Sequence, residues 1–153
     1  MKLAREFDAR FEAMLLTGRI SKWYSAIGNE GITVPAGLAL EAGDVLCSLH
    51  RDVGAILAFY LDPALAFPGF GFGAPDGRRP EPEALFYRLA CQVLGKAEGF
   101  SRGIERSYHY GHFDEAAGIS HVGMISHLGA MLPVAAGCAF AMKRNGGDRV
   151  AIN

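Results

Sequence analysis

Three short runs of this 153-residue chain bring together side chains able to do chemistry. The densest is Tyr108-His109-Tyr110-Gly111-His112. An imidazole titrates near neutrality, so a histidine in such a loop is suited to proton transfer. His109 and His112 also read as half a metal site, but no Cys or carboxylate pair stands on a firm helix beside them, and no metal ligand is assigned. The competing reading is a surface loop with its polar groups satisfied. The second run, His50-Arg51, falls between an extended segment and a helix start. A guanidinium there pairs bidentately with a phosphate, and the helix amides and dipole add to it. The bland alternative is a surface arginine paired with Asp52 or Glu41. The third run has His121 and His127 on either side of Val122-Gly123-Met124-Ile125-Ser126. Ser126 lacks a Gly-x-Ser-x-Gly elbow and is not read as a nucleophile. It is expected to cap a helix starting at Leu128, with His127 bonded to backbone.

These groups need a scaffold. Leu3, Phe7, Phe11, Met14 and Leu15 recur at helical spacing among charged residues, an amphipathic first helix ending near Thr17-Gly18. Residues 20–24 read as a short helix or turn broken by Gly28. A second helix over residues 29–40 carries Pro35 in its first two turns, where a missing amide costs least, and Glu30 at its positive end. Glu41-Ala42-Gly43-Asp44 is a turn, and residues 45–49 an extended segment or strand. Asp52 is placed to cap a helix over residues 53–60. Residues 63–82 are dense in Gly and Pro and read as a surface loop or insertion. The Gly-x-Gly run at residues 70–73 follows no strand and is no dinucleotide fingerprint. A helix over residues 83–94 precedes a long loop, residues 96–118, without a clean period. Long ordered loops of this kind are functional or disordered. Residues 128–142 are small or apolar almost throughout, which predicts a helix buried on all sides, too short to span a membrane. An Asn145-Gly146-Gly147-Asp148 turn then leads into an apolar strand. A strand with no following element is an unusual ending, and the sequence is expected to be a piece of a longer protein.

Length fits one domain with a real core. Half the residues are hydrophobic and a fifth charged, and the net charge is −1. That balance argues against general binding to nucleic acid or an anionic membrane. Cys47, Cys91 and Cys138 form no metal-site spacing and no even set, pointing to a reducing compartment, the cytoplasm. The charged N-terminus is unlike a signal peptide.

Five segments in order, SKWYSAIGNEGITVPAGLALEAGD, LHRDVGAILA, ALFYRLACQVLGK, RSYHYGH and ISHLGAMLPVAAGCAFAMKRNGGDRVAI, resemble the alpha subunit of the thiamine-diphosphate-dependent 2-oxo acid dehydrogenases, the decarboxylating first component of the branched-chain and pyruvate complexes. The likeness runs from Met14 to Asn153. It implies an α/β fold, the helix-rich N-terminal part of a doubly wound parallel sheet left incomplete, so that residues 1–153 are the start of one cofactor-binding domain. It implies Arg51 on the cofactor diphosphate with His50 beside it, where the family usually has tyrosine. It further implies Ser126 and Leu128 at the aminopyrimidine, and His109 as the catalytic histidine near the thiazolium and substrate. The His109-Tyr110-Gly111 form is more similar to the branched-chain enzymes. Ile125, Ala130 and Met131 occupy positions where some relatives hold a monovalent cation, which is not expected here. The family's Gly-Asp-Gly motif, which holds magnesium, would follow Asn153. The activity implied is oxidative decarboxylation of a 2-oxo acid, branched-chain before pyruvate, with acyl transfer to lipoyl. The implied partners are a beta subunit and a lipoyl-bearing acyltransferase. The alternative is a catalytically incompetent fragment that keeps only assembly contacts.

Overall fold

The computed structural model describes residues 1–61, 82–115 and 118–153. Helix α1 (Lys2–Leu16) turns its Ala4, Asp8 and Phe11 face inward. It closes at Thr17, and Gly18 takes φ +69° with its amide donating to the Leu15 carbonyl, a conformation that favours glycine. The following segment is irregular rather than helical. Its conformation is set by Asp8, a buried carboxylate that accepts the Trp23 indole N–H at 2.7 Å and the Ala26 amide. Buried charge is tolerated only when hydrogen-bonded in this way.

Helix α2 (Glu30–Leu38) is tied back to α1 by the Arg5–Glu30 ion pair, while Glu30 also accepts the Gly28 amide at 2.8 Å. Its hydrogen-bonded partnership with Arg5 draws the Glu30 carboxyl down to about 2. Strand β1 (Val45–Cys47) follows the expected turn, and then helix α3 (Val53–Leu61), in which every residue from Val53 to Tyr60 is buried. A helix apolar all round is a core helix, and α3 is that helix. It touches α2 closely at Gly37, where a Cβ would collide with the Ala55 carbonyl, and at Gly54, against Thr33. Asp52 closes the turn ahead of α3 by accepting the Leu49 amide at 2.8 Å, so its carboxylate caps that turn, and burial pushes its pKa up.

The loop reading of residues 63–82 falls outside the described residues except at Pro82, the first residue of helix α4 (Pro82–Leu94), where a proline is tolerated. Two short strands come next, β2 (His112–Asp114) and β3 (Ile119–Val122). β2 lies inside the stretch read as loop. At three residues it is too short for alternation to show. Helix α5 (Met131–Asn145) and strand β4 (Ala151–Ile152) complete the described chain.

The sheet order is β2-β3-β1-β4. β3 and β4 both run parallel to β1, with Val45 opposite Ser120 on one side and Ala151 on the other, while β2 is antiparallel to β3. This is an α/β architecture with a small, incomplete, mainly parallel sheet, as expected. The helix expected to be buried all round at residues 128–142 is not. α5 begins at Met131 and buries only Met131 and Ala135, packing beside Cys47 of β1, while Leu132 and Phe140 are 62% and 63% exposed. Composition shows that a helix needs cover; it does not show that the described residues supply it. Burial, with Cys138 nearby, lifts the Cys47 thiol to about 11.

Candidate active site

A cavity of about 1080 Å³ opens on the described surface, slightly larger than is usual for small-molecule and cofactor sites. Its walls come from the irregular segment after α1, the loop after α4 and the loop between β3 and α5, with His50 joining from the turn before α3. Each wall is anchored. Asp8 holds the first through Trp23. Gln92 of α4, fully buried, accepts the Ser101 amide at 2.8 Å and donates to the Glu105 carbonyl at 3.1 Å, folding the second loop back on its helix. The third wall meets the second at Gly123, where a Cβ would lie 2.6 Å from the Tyr110 backbone. Only glycine allows that approach.

Inside, His109 and Ser126 meet. The Nε2 of His109 is 2.6 Å from Ser126 Oγ, and Nδ1 is 3.0 Å from the Arg106 carbonyl. A carbonyl only accepts, so in the neutral ring Nδ1 carries the proton and Nε2 receives the serine O–H. The imidazole is thus held by a backbone group on one side and presents its basic nitrogen to the cavity, the arrangement a proton-transfer residue needs. Ser126 is therefore not the helix cap expected from sequence. The N-cap of α5 is Ala130, with no side-chain bond, because a turn through Gly129 at φ +83° separates Ser126 from the helix.

His50 lines the cavity with its ring 4.7 Å from that of Tyr24, and burial together with Arg51 and Lys22 lowers its pKa. Leu128 lines the cavity too, 81% exposed. Arg51 does not. Its Nη1 donates to the Ser25 carbonyl at 3.1 Å, leaving its other N–H groups without a partner among the described residues, and neither Asp52 nor Glu41 pairs with it. Four of the five residues that the resemblance assigns to the site, His50, His109, Ser126 and Leu128, thus line one cavity; the fifth, Arg51, adjoins His50 outside its lining.

Two features escaped the sequence reading. Arg19, Lys22, Lys96 and Arg106 line the cavity against a single carboxylate, Glu105. They sit in two irregular stretches, and only the fold joins them. The second is a sealed network around His121, whose Nε2 is 2.6 Å from Ser48 Oγ and Nδ1 2.6 Å from Tyr60 Oη, with Tyr60 donating onward to Tyr110 at 3.3 Å. Burial holds the His121 pKa down to about 3 and raises those of Tyr60 and Tyr110. No sequence signal separates His121 from its neighbours beyond the apolar alternation Ile119, His121 on the buried face of β3. Among the described residues no three His, Cys, Asp or Glu side chains group as metal ligands, and no helix is long and apolar enough to cross a membrane.

No family model matches the chain. It is similar to the mitochondrial 2-oxoisovalerate dehydrogenase alpha subunits of Bos taurus and Homo sapiens, each 27% identical over 139 residues. It is likewise similar to alpha subunit 2 of Arabidopsis thaliana, 24% identical over 135 residues. These matches cover 88% of this chain but only 23–24% of the relatives. The chain thus spans about a quarter of their length. Its distant relatives are branched-chain 2-oxo acid dehydrogenase alpha subunits, in agreement with the resemblance carried by the five segments. Those relatives are named mitochondrial, so the cytoplasmic location expected from the cysteines finds no support in them.

Proposed function

We propose that residues 1–153 are the N-terminal part of a thiamine-diphosphate-binding domain in the alpha subunit of a 2-oxo acid dehydrogenase. Its activity is oxidative decarboxylation of a 2-oxo acid, branched-chain before pyruvate, with acyl transfer to lipoyl. It works with a beta subunit and a lipoyl-bearing acyltransferase. The observation that carries this reading is the convergence of His50, His109, Ser126 and Leu128, from separate stretches of chain, on one cavity.

The residues present fit the cofactor's organic part and its diphosphate. Arg51 has uncommitted N–H donors beside His50, suited to phosphate oxygens. Ser126 lines the cavity, where its hydroxyl would meet a polar ring edge. When bound, thiamine diphosphate supplies the carbanion that takes up the 2-oxo carbon and stabilises the charge left by decarboxylation. His109 accepts or returns a proton at Nε2, with Arg106's carbonyl fixing its tautomer. Magnesium ligands are not proposed among these residues.

A second reading is favoured by the uncovered apolar side of α5, which exposes Leu132 and Phe140. On it, the chain has lost catalysis and keeps only subunit contacts. Calorimetric titration of thiamine diphosphate with magnesium into the purified chain separates the two. Saturable binding that drops at least tenfold in Arg51→Ala supports the first, and binding unaffected by that change removes Arg51 from the site. Absence of any binding favours the assembly reading.

A further inference from the structure

Two of the three cysteines lie on facing surfaces of β1 and α5, and the functional reading uses neither. Cys47 of β1 is fully buried and clusters with Met131 and Ala135, the two buried residues of α5. Cys138 follows Ala135 by three positions and Met131 by seven, so all three share one face of the helix. Gly137 and Ala139 on either side of it are exposed, whereas Cys138 is half-buried, which places its face of the helix against the sheet. Among the described residues, the one titratable side chain that acts on the Cys47 thiol, by charge and by hydrogen bonding, is Cys138. The strand holds its member of the pair firmly. Cys47 is in register with Val122 of β3, and its carbonyl accepts a hydrogen bond from Asn153 Nδ2 at 2.8 Å. Cys91 stands apart, buried on α4 and hydrogen-bonded with Tyr87. In a reducing compartment a disulfide is transient and redox-sensing rather than structural.

We propose that Cys47 and Cys138 form a redox-sensitive modification site, oxidised reversibly to a disulfide by a small disulfide such as glutathione disulfide. Cys138, the more exposed, reacts first. Its thiolate attacks one sulfur of the oxidant, which forms a mixed disulfide and releases one glutathione thiolate. The Cys47 thiolate then attacks the Cys138 sulfur and releases the second. Two protein thiols are oxidised, one glutathione disulfide is reduced, and the two protons leave on the two glutathione thiols. The second step is the slower one, because burial keeps the Cys47 thiol protonated. The bridge ties β1, which runs on into His50, to α5, which follows the wall carrying Ser126 and Leu128. The site does not rest on the functional reading above, and it sets the redox state of the chain beside the cavity.

The test is to equilibrate the purified chain with glutathione disulfide in mildly alkaline buffer, count thiols, and map non-reduced peptides by mass spectrometry. Free thiols are expected to fall from three to one, with a linked Cys47–Cys138 peptide pair that dithiothreitol abolishes. Cys91→Ser is expected to keep that bridge. In Cys47→Ala, Cys138 stops at the glutathione adduct, and in Cys138→Ser, Cys47 stays reduced. Circular dichroism verifies that the variants fold, and Cys138→Ser, at a half-buried position, decides the matter even where Cys47→Ala does not fold. The bridge closes a long loop, so the oxidised chain is expected to unfold at higher urea than the reduced one. A wild-type chain left with an adduct on Cys138 alone, a bridge to Cys91, or no loss of thiols overturns the proposal. So does a bridged chain that unfolds at lower urea than the reduced one, since the two thiols then meet only when the native packing is broken.

Discussion

His121 and His109 lie twelve positions apart in sequence, each within 2.6 Å of a serine hydroxyl, yet they belong to opposite kinds of site. His121 is sealed. Both ring nitrogens face hydroxyl groups, no water reaches it, and desolvation keeps it neutral far below the usual imidazole range. His109 borders the cavity, with one nitrogen committed to a carbonyl and the other shared with a serine that a ligand can displace. The same pair of residue types is structural where the protein supplies every partner, and available for chemistry where it leaves one exchangeable. Burial and partner count, not residue identity, assign the roles.

The largest expected effect separates the two by stability. His121→Ala strands the Ser48 and Tyr60 hydroxyls and opens a void, which costs roughly 3–5 kcal/mol. His109→Ala, at a part-exposed site, is expected to cost about 1 kcal/mol or less. Urea denaturation measures both, and similar losses would end the distinction.

The next contrast is with pH. The native His121 pKa is depressed to about 3, against roughly 6.5 when unfolded. Between those values the unfolded chain binds a proton that the native state refuses. Stability is therefore full above the unfolded value and falls as pH drops toward the native one, at up to about 1.4 kcal/mol per pH unit. Glu30, held at about 2 by Arg5, loses its contribution in a lower window, from roughly 4.3 down through about 2. Urea midpoints recorded from pH 7 to pH 4 are expected to fall in the wild type and to flatten in His121→Gln, while Glu30→Gln keeps the slope in that range.

How much of this was legible in the sequence depends on whether the cause was local. The helix α1 was readable from its apolar spacing and Gly18, and α2, α3 and α4 from patterns ending close to their observed limits. β2 was hidden because three residues cannot display a period. α5 was misjudged in its environment because cover is a tertiary property. Within the cavity, His109 and His50 were picked out from residue type and position, whereas Leu128 and the ring-facing position of Ser126 came only from the resemblance, since neither loop has a period to announce it. Ser126 was given a capping role because its true partner lies seventeen positions upstream. The cavity cations were invisible for the same reason: Arg19 and Lys22 meet Lys96 and Arg106 only after Asp8 and Gln92 have folded two irregular segments into place.

A smaller effect tests the join between the two sites. Gly123→Ala places a methyl group against the Tyr110 backbone, and Tyr110 belongs to the sealed network while His109 beside it belongs to the cavity. A loss of about 1–3 kcal/mol is expected, together with weaker ligand binding. Loss of stability without any change in binding would show that the two sites are mechanically independent. Smallest in energy is reactivity. Diethyl pyrocarbonate is expected to modify His109 in the native chain and to spare His121 until unfolding, as peptide mass spectrometry would show.

The most direct test is to watch both imidazoles at once by nitrogen-resolved NMR of labelled histidine while thiamine diphosphate and magnesium are added at pH 7. If the cavity is the cofactor site, the His109 ring signals shift saturably and those of His121 stay fixed in the neutral form. Saturable shifts at His121 with His109 unmoved, or no response from either ring at millimolar cofactor, would contradict it.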